Sequence, residues 1–201
     1  MADATKKYVP KTYPNLKGLK GISDDLLATH FKLYEGYVNR CNALTETLWK
    51  IAKEGRASGK DPAYAEMTRR MGFEYSGMIL HEYYFGNLTA NGQAAPPKGK
   101  LTDAIEKSFG NFETWLADFK AVATMPGVGW AILYQDPTTG WLSNHWINLH
   151  QDNHPAGYTP VLVMDAWEHA FLPDYKATER AKYVDAYFLN IDWAQAEKRL
   201  K

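Results

Sequence analysis

The sequence predicts an α+β fold, in which a long α-helical hairpin precedes a three-stranded antiparallel sheet flanked by helices. Two observations support this prediction. Apolar residues recur at three- and four-residue intervals in the first half of the 201-residue chain, as in amphipathic helices. Farther along, three short aromatic and β-branched runs are separated by turn sequences, which is typical of antiparallel strands. We therefore expect an N-terminal arm and helical hairpin at residues 1–90 and an α/β domain at residues 91–201.

Two long periodic segments predict the hairpin. Residues 1–22 carry irregularly spaced Pro and Gly and are interpreted as an extended arm. Ser23 is a suitable N-cap for the first helix, and Gly55 is placed to end it. Pro62 lies near the start of the second helix. The strongest break in the chain, "TANGQAAPPKGK", follows that helix and marks the expected boundary between the two parts.

The second part of the chain mixes helices and strands. Two short helices are expected, one from Leu101 and one over residues 109–123. Three antiparallel strands are then expected over the runs "GVGWAILYQ", "GWLSNHWINLH" and "YTPVLVMD". Helix returns from Lys176 to the end of the chain. This order places helices on both sides of a small sheet.

Composition excludes several classes of partner. Lys plus Arg number 23 and Asp plus Glu also number 23, with no basic block, so neither nucleic acid nor an anionic membrane is expected to bind. Apolar stretches fall far short of the ~18 residues of a membrane span, and the N-terminus lacks a signal-type apolar core. The single cysteine, Cys41, excludes an internal disulfide and fits a reducing compartment. We expect a cytoplasmic protein.

Three histidines and one aspartate form the candidate site. His30 and His81 lie mid-helix on the apolar faces of the two long helices. A lone histidine there is more often a core residue than a ligand, but a helical hairpin brings such residues together. Asp165 ends an apolar strand and His169 follows four residues later, a pair that in isolation is most often a cap and a salt bridge. Together, three imidazoles and one carboxylate suit iron or manganese rather than a thiolate zinc site.

The most specific motif of the chain lies at the end of the last expected strand. It is the segment "DAWEHAF", preceded by "TPVL", and it resembles the signature of the iron/manganese superoxide dismutase family. The likeness covers nearly the whole chain from about Tyr13 and includes the segments "YVNRCN", "LHEYYFGNL", "GVGWAIL" and "YVDAYFLNIDWAQAEKRL". It implies disproportionation of superoxide at one Fe or Mn ion per subunit, with a coordinated water or hydroxide. The ligands that it implies are His30, His81, Asp165 and His169. Because these ligands serve either metal, the choice between Fe and Mn stays open.

The resemblance also implies residues around the metal. Tyr37, in the "YVN" context, is similar to the tyrosine at the substrate entrance of the family. The interval from His30 to Tyr37 is seven residues where the family has eight, so Tyr34 is kept as the alternative. Trp130 and Trp167 resemble the aromatic wall around the metal.

Members of the family place a Gln or a His near the coordinated solvent, from one of two positions. Gly77 stands at the helical position and has no side chain to offer. The turn "NLHQDNHPAG" is then expected to supply the group. Its spacing to the signature favours His150, with Gln151 as the alternative.

The resemblance further implies assembly. Glu168 is similar to a glutamate that hydrogen-bonds across a two-fold axis to the last ligand, His169 of the partner subunit. A homodimer, or a tetramer built from dimers, is therefore expected. The usual His and Tyr of the interface are replaced here by Tyr34 and Leu172, so this part of the gateway is expected to be built differently.

Two other functions fit parts of the pattern. A mononuclear iron oxygenase with two histidines and one carboxylate would leave more coordination positions open for a cosubstrate, and a third histidine argues against it. A non-catalytic relative would keep the fold as an interaction module. The presence of all four candidate ligands argues against that function.

Overall fold

The computed structural model describes residues 7–201, and it confirms the α+β fold class. The hairpin consists of α1 (Asp24–Lys53) and α2 (Pro62–Gly86). The side chain of Ser23 accepts a hydrogen bond from the backbone N–H of Leu26, as an N-cap does. Gly55 follows α1 with a φ of 68°, a left-handed conformation that favours glycine. Both helices thus lie within about two residues of the positions that the sequence predicts.

The N-terminal arm packs beside the hairpin. It contains one short 3₁₀ helix, Pro14–Leu16. The backbone N–H of Lys11 donates a hydrogen bond to Tyr34 Oη over 2.9 Å, which attaches the arm to α1. Of the arm predicted over residues 1–22, the first six residues lie outside the described residues.

Two helices and a sheet follow the hairpin. The helices are α3 (Lys100–Phe109) and α4 (Phe112–Ala123). The sequence placed the start of α4 at Phe109. In the structure Gly110 has a φ of 88° and ends α3, and Asn111 then caps the N-terminus of α4. The strands are β1 (Gly129–Gln135), β2 (Leu142–Asn148) and β3 (Thr159–Asp165).

The sheet has the order β2-β1-β3, with both pairs antiparallel. β1 is the central strand and is buried along its whole length. On β1, Trp130 lies opposite Asp165, the last residue of β3. The register therefore brings an indole beside the carboxylate that ends an apolar strand.

The region from Lys176 to the C-terminus, which was expected to be helical, contains two helices separated by a turn. The segment contains a 3₁₀ turn followed by α5 (Arg180–Phe188) and α6 (Trp193–Glu197). Between these helices the buried side chain of Asn190 donates to the backbone carbonyl of Lys20 and accepts from its N–H, each over 2.8 Å. These hydrogen bonds attach the turn between α5 and α6 to the N-terminal arm.

The segment that follows α2 packs against the turn between α5 and α6. The backbone N–H of Thr89 donates to the carbonyl of Asn190 over 2.8 Å, and Leu88 forms a β-bridge with Ile191. A continuous core extends from the hairpin to the sheet and the last helices. The division into residues 1–90 and 91–201 stays a prediction. Among the described residues, no helix combines the length and apolar composition that a membrane span requires.

Candidate metal centre

Four side chains from four separate segments converge in the core. His30 lies on α1, His81 on α2, Asp165 at the end of β3, and His169 in the 3₁₀ turn Glu168–Ala170. One nitrogen or oxygen atom of each lies within 4.8 Å of those of the other three. The four candidate ligands of the sequence are thus the residues that the fold brings together.

Asp165 uses its two carboxylate oxygens differently. Oδ1 accepts a hydrogen bond from the backbone N–H of Trp167 over 2.8 Å, which stabilises the turn after β3. Oδ2 faces three imidazole Nε2 atoms, at 3.1 Å for His30, 3.2 Å for His169 and 3.6 Å for His81. The carboxylate therefore combines the role of a cap with a place at the centre of the cluster.

The hydrogen bonding of His81 determines what can lie between these atoms. Its Nδ1 is 2.6 Å from the carbonyl oxygen of Gly77, an acceptor only, so Nδ1 carries a proton. Burial lowers the pKa of His81 well below its usual value, so the ring is neutral and Nε2 holds a lone pair. Among the described residues, this buried Nε2 has no hydrogen-bond partner. A buried lone pair that faces a carboxylate oxygen is unfavourable, and a cation between them would satisfy both atoms.

Burial and mutual contacts also shift the pKa values of His30 and Asp165. Burial also lowers the pKa of His30 and favours its neutral form. Burial opposes ionisation of Asp165, but the adjacent His169 and His30 outweigh it and hold the pKa of the carboxyl below its usual value. A bound cation would further stabilise this fully buried carboxylate. Three imidazoles and one carboxylate suit Fe or Mn, so the residues present fit such an ion.

A chain of hydrogen bonds runs beside the four residues. The indole N–H of Trp130 can only donate, and it donates to His150 Nδ1 over 3.1 Å. His150 Nε2 lies 2.7 Å from Tyr37 Oη. Burial lowers the pKa of His150 to about 4, so the ring is neutral and its one proton is on Nε2. The imidazole therefore donates to the phenol oxygen, which leaves the O–H of Tyr37 free to donate elsewhere.

Gly77 accounts for the position of Tyr37. A Cβ atom at Gly77 would lie 2.6 Å from Cδ1 of the Tyr37 ring, closer than such atoms approach. The ring occupies that space and stacks on the imidazole of His81, with the ring centroids 5.2 Å apart. Burial raises the pKa of Tyr37 to about 12, so the phenol keeps its proton at neutral pH. Gly77 therefore offers no side chain to the coordinated solvent, and its lack of a Cβ atom also makes room for the Tyr37 ring.

Two tryptophans surround the group, as the resemblance implies. Trp130 lies edge-on to His81 at 5.1 Å between ring centroids. Trp167 stacks on His150 at 4.5 Å, and its indole N–H donates to the carbonyl of Leu149 over 3.2 Å. These rings line the site and limit the movement of His150.

The two alternative residues lie in other environments. Tyr34 Oη donates to Glu82 over 3.0 Å and accepts from Lys11, so the hydroxyl is directed to the N-terminal arm. Gln151 is half-buried, and its Oε1 accepts a 3.4 Å hydrogen bond from the backbone N–H of His150. Within the described part of the chain, neither side chain hydrogen-bonds to Tyr37.

The expected assembly residues lie at the surface. Glu168 is exposed, and the side chain of the adjacent His169 is 20% exposed, in contrast to the other three residues of the cluster. Leu172, where the family has a tyrosine, is also exposed. The candidate metal centre is therefore closest to solvent on the side of His169.

Sequence reasoning missed two groups near the centre. Arg40, Glu74 and Arg70 form an ion cluster beside Tyr37. The four-residue spacing from Arg70 to Glu74 indicated a helical ion pair, but nothing in the sequence indicated that Glu74 is buried. The other group is His154, which is half-buried, with its Nε2 2.8 Å from the backbone carbonyl oxygen of His150.

Comparisons with known proteins agree with this arrangement. Residues 97–199 match the sequence profile of the iron/manganese superoxide dismutases, C-terminal domain. The chain is 35% identical to the iron superoxide dismutase of Aquifex pyrophilus over 198 residues, which cover 97% of this chain and 92% of the relative.

Relatives with other metals in their names are equally similar. The manganese superoxide dismutase 1 of Haloferax volcanii is 33% identical over 99% of this chain and 96% of its own length. The Mn/Fe superoxide dismutase of Aeropyrum pernix is 37% identical over 86% of this chain and 79% of its own length. With a matching profile over half of its residues and relatives that align along nearly all of it, the chain belongs to the iron/manganese superoxide dismutase family.

Proposed function

We propose that His30, His81, Asp165 and His169 bind the single Fe or Mn ion at which this enzyme disproportionates superoxide to dioxygen and hydrogen peroxide. The observation that carries the proposal is the buried Nε2 lone pair of His81, which faces the Asp165 carboxylate. When bound, the ion supplies a one-electron couple that alternates between its divalent and trivalent states. Of the four side chains that would hold it, those of His30, His81 and Asp165 are buried and that of His169 is 20% exposed.

The chain's own part in the reaction is to hold and deliver protons. Formation of hydrogen peroxide from superoxide consumes two protons, so a positioned O–H group near the ion accelerates turnover. Tyr37 provides such a group, because His150 donates to its oxygen and leaves its own proton free. We include a coordinated water or hydroxide in the proposal, as the acceptor to which Tyr37 would donate. Tyr37, rather than Tyr34, is then the tyrosine at the substrate entrance.

The surrounding residues keep this donor oriented. Trp130 selects the His150 tautomer by donating to Nδ1, and the Trp167 ring packs against the imidazole. Groups of this kind tune a metal centre without binding the ion. We assign His150, rather than Gln151, to this role because His150 makes the contact with Tyr37.

A homodimer, or a tetramer of dimers, belongs to the same proposal. The exposed carboxylate of Glu168 and the partly exposed ring of His169 support a contact of Glu168 with His169 of the partner subunit. A cytoplasmic location stays a prediction from the single cysteine.

The test is metal analysis of the purified protein, followed by superoxide-consumption assays after separate reconstitution with Fe and with Mn. We expect one ion per subunit and activity with at least one of the two metals. Protein that binds neither metal would contradict the proposal and favour the non-catalytic alternative. Consumption of dioxygen that depends on an organic cosubstrate would indicate an oxygenase instead.

A further inference from the structure

A side chain, rather than the backbone, holds the carbonyl group of His150. The carbonyl oxygen lies 2.8 Å from His154 Nε2 and can only accept, so Nε2 carries a proton and donates it to this bond. Among the described residues, this carbonyl has no other hydrogen-bond partner. The turn after β2 is therefore closed through the imidazole of His154.

The other nitrogen of His154 is attached to the central strand. His154 Nδ1 lies 2.7 Å from Oη of Tyr134, which is buried near the end of β1. In a neutral ring with its proton on Nε2, Nδ1 is an acceptor, so the Tyr134 hydroxyl donates to it. Tyr134, His154 and the His150 carbonyl thus form a hydrogen-bonded connection from the sheet to the turn, which we call the His154 bridge.

The turn has a conformation that depends on such support. Leu149 has a φ of 53°, a left-handed conformation that a leucine adopts only when its surroundings hold it. Asn148 and Asp152 exchange backbone hydrogen bonds of 3.1 and 3.2 Å, which fix the ends of the turn. At His154 the turn borders a cavity of about 320 Å³ that separates it from α2, so packing supports it less on that side. The position of the His150 backbone then depends on the His154 bridge.

We propose that His154 is a positioning residue for His150 and, through it, for the hydroxyl group of Tyr37. This inference rests on the proposed function, because it concerns the group that orients the proton donor of that reaction. His150 Nε2 donates to Tyr37 Oη over 2.7 Å, and His150 Nδ1 accepts from Trp130 over 3.1 Å. Both bonds weaken steeply when distance or angle changes. Functional groups need to stay within about 0.5 Å of their productive geometry, and the His154 bridge holds the backbone from which this ring extends.

The His154 bridge does not pass a proton to Tyr37. It ends at a carbonyl oxygen, which accepts a hydrogen bond but has no proton to hand on. A proton relay through His154 would lower turnover when lost, whether or not His150 is present. A positioning residue gives the opposite expectation, because its loss matters only while His150 is there to be positioned.

The experiment is a double-mutant cycle on metal-loaded enzyme of measured metal content. It combines His154→Phe, which keeps a ring but removes both hydrogen bonds, with His150→Ala. We expect His154→Phe to lower kcat about threefold to tenfold, at or below the lower limit of the about 10- to 100-fold losses found for groups that contact metal ligands. In the His150→Ala background it should have no further effect. His154→Gln should restore most of the activity, since its side-chain amide can donate to the same carbonyl.

His145 provides a matched control. It is also half-buried and contacts the Tyr134 ring, at 5.4 Å between ring centroids, but it hydrogen-bonds within β2. His145→Phe should match the wild type in kcat. Crystal structures give a readout independent of turnover. The distance from His150 Nε2 to Tyr37 Oη should exceed about 3.2 Å, the usual limit of such a bond, in His154→Phe. It should stay near 2.7 Å in His145→Phe.

Equal losses from His154→Phe with and without His150 would overturn the inference. So would a variant that unfolds at a lower temperature but keeps the wild-type kcat per bound metal, since that result means a purely structural role. If His154→Phe does not fold, Tyr134→Phe decides the question, because it removes only the donor to Nδ1 and should lower kcat only while His150 is present. A wild type without superoxide activity would instead refute the proposed function, and the distance between His150 and Tyr37 would still test the positioning.

Discussion

The protein contains two buried carboxylates that are compensated in opposite ways. Glu74 receives hydrogen bonds from two arginines, whose charge is permanent, so the chain itself neutralises it. Asp165 is equally buried, but its neighbours are imidazoles, and burial favours the neutral form of His30 and His81. Among the described residues, no hydrogen-bond partner of Asp165 carries a permanent charge.

This difference separates a structural ion cluster from a ligand site. A buried carboxylate is stable only when paired, and its partner can be a side chain or a bound ion. Both carboxylate oxygens of Glu74 already accept hydrogen bonds from guanidinium groups, so Glu74 is not placed to bind a cation. Asp165 Oδ2 faces three nitrogen atoms that suit a transition metal. The chemistry of the neighbours, rather than burial alone, identifies the candidate metal centre.

The largest expected effect follows from removal of the Asp165 carboxylate, which has no permanently charged partner among the described residues. Asp165→Ala should abolish metal binding and lower activity by more than about 100-fold, beyond the usual cost of changes outside the ligand set. Added Fe or Mn should also cease to raise the melting temperature, because metal binding is linked to folding. Metal analysis and thermal unfolding check both effects.

Glu74→Gln is the matched control for that experiment, since it also neutralises a buried carboxylate. We expect it to keep its metal. Full metal occupancy in Asp165→Ala would contradict the difference drawn between the two residues.

The second effect concerns a neighbour of the candidate ligands. His150→Ala should retain most of its metal but lose about 10- to 100-fold in activity, because Tyr37 loses the group that orients its hydroxyl. Gln151→Ala should do much less. Activity and metal content of the two variants are compared, and a damaging Gln151→Ala beside a silent His150→Ala would reverse their roles.

The third effect tests the carboxylate that the chain compensates. Glu74→Gln should lower the free energy of unfolding by about 1–3 kcal/mol, since both guanidinium groups lose a charged acceptor. The exposed pair partner Glu66 gives the comparison, and Glu66→Gln should cost less than about 0.5 kcal/mol. Urea unfolding measures both values. Equal losses of unfolding free energy in the two variants would mean that burial does not strengthen the contribution of the Glu74 ion pairs to stability.

The smallest effect is a pH dependence of stability. His150 has a pKa of about 4 in the folded protein and near 6.5 when unfolded, so the unfolded chain takes up a proton first as the pH falls. Stability should therefore decrease between pH 6.5 and pH 4. In His150→Gln the loss between pH 7 and pH 5 should be smaller by about 1–2 kcal/mol. Urea unfolding at both pH values measures this, and an unchanged loss would exclude His150 as its source.

The sequence could predict those features that depend on local pattern or on motif. Helical periodicity and strand composition gave the fold class and the approximate limits of the hairpin and strands. His81, Asp165 and His169 lie in segments that resemble the family, and His30 could be chosen as the mid-helix histidine on the apolar face of the other long helix. Their convergence within 4.8 Å is what the structure adds.

Features that depend on distant contacts could not be predicted. Asn190, between α5 and α6, bonds to Lys20, which lies 170 residues away, and no local pattern indicates this contact. Glu74 has the composition of a solvated helix face, and only the packing of α1 on α2 buries it. The place of Gly77 beneath the Tyr37 ring likewise follows from the approach of two helices.

The burial of the candidate ligands has a kinetic consequence. His30 and Asp165 lie 135 residues apart in the chain, on the hairpin and on the sheet, and neither is accessible from the surface. If these residues hold an ion, we expect its exchange to require local opening of the hairpin from the sheet and to be as slow as that opening. The identity of the metal in each molecule is then set by the ions present while the chain folds. Two preparations of the same sequence can differ in metal content according to their folding history and keep that difference for as long as the native state lasts.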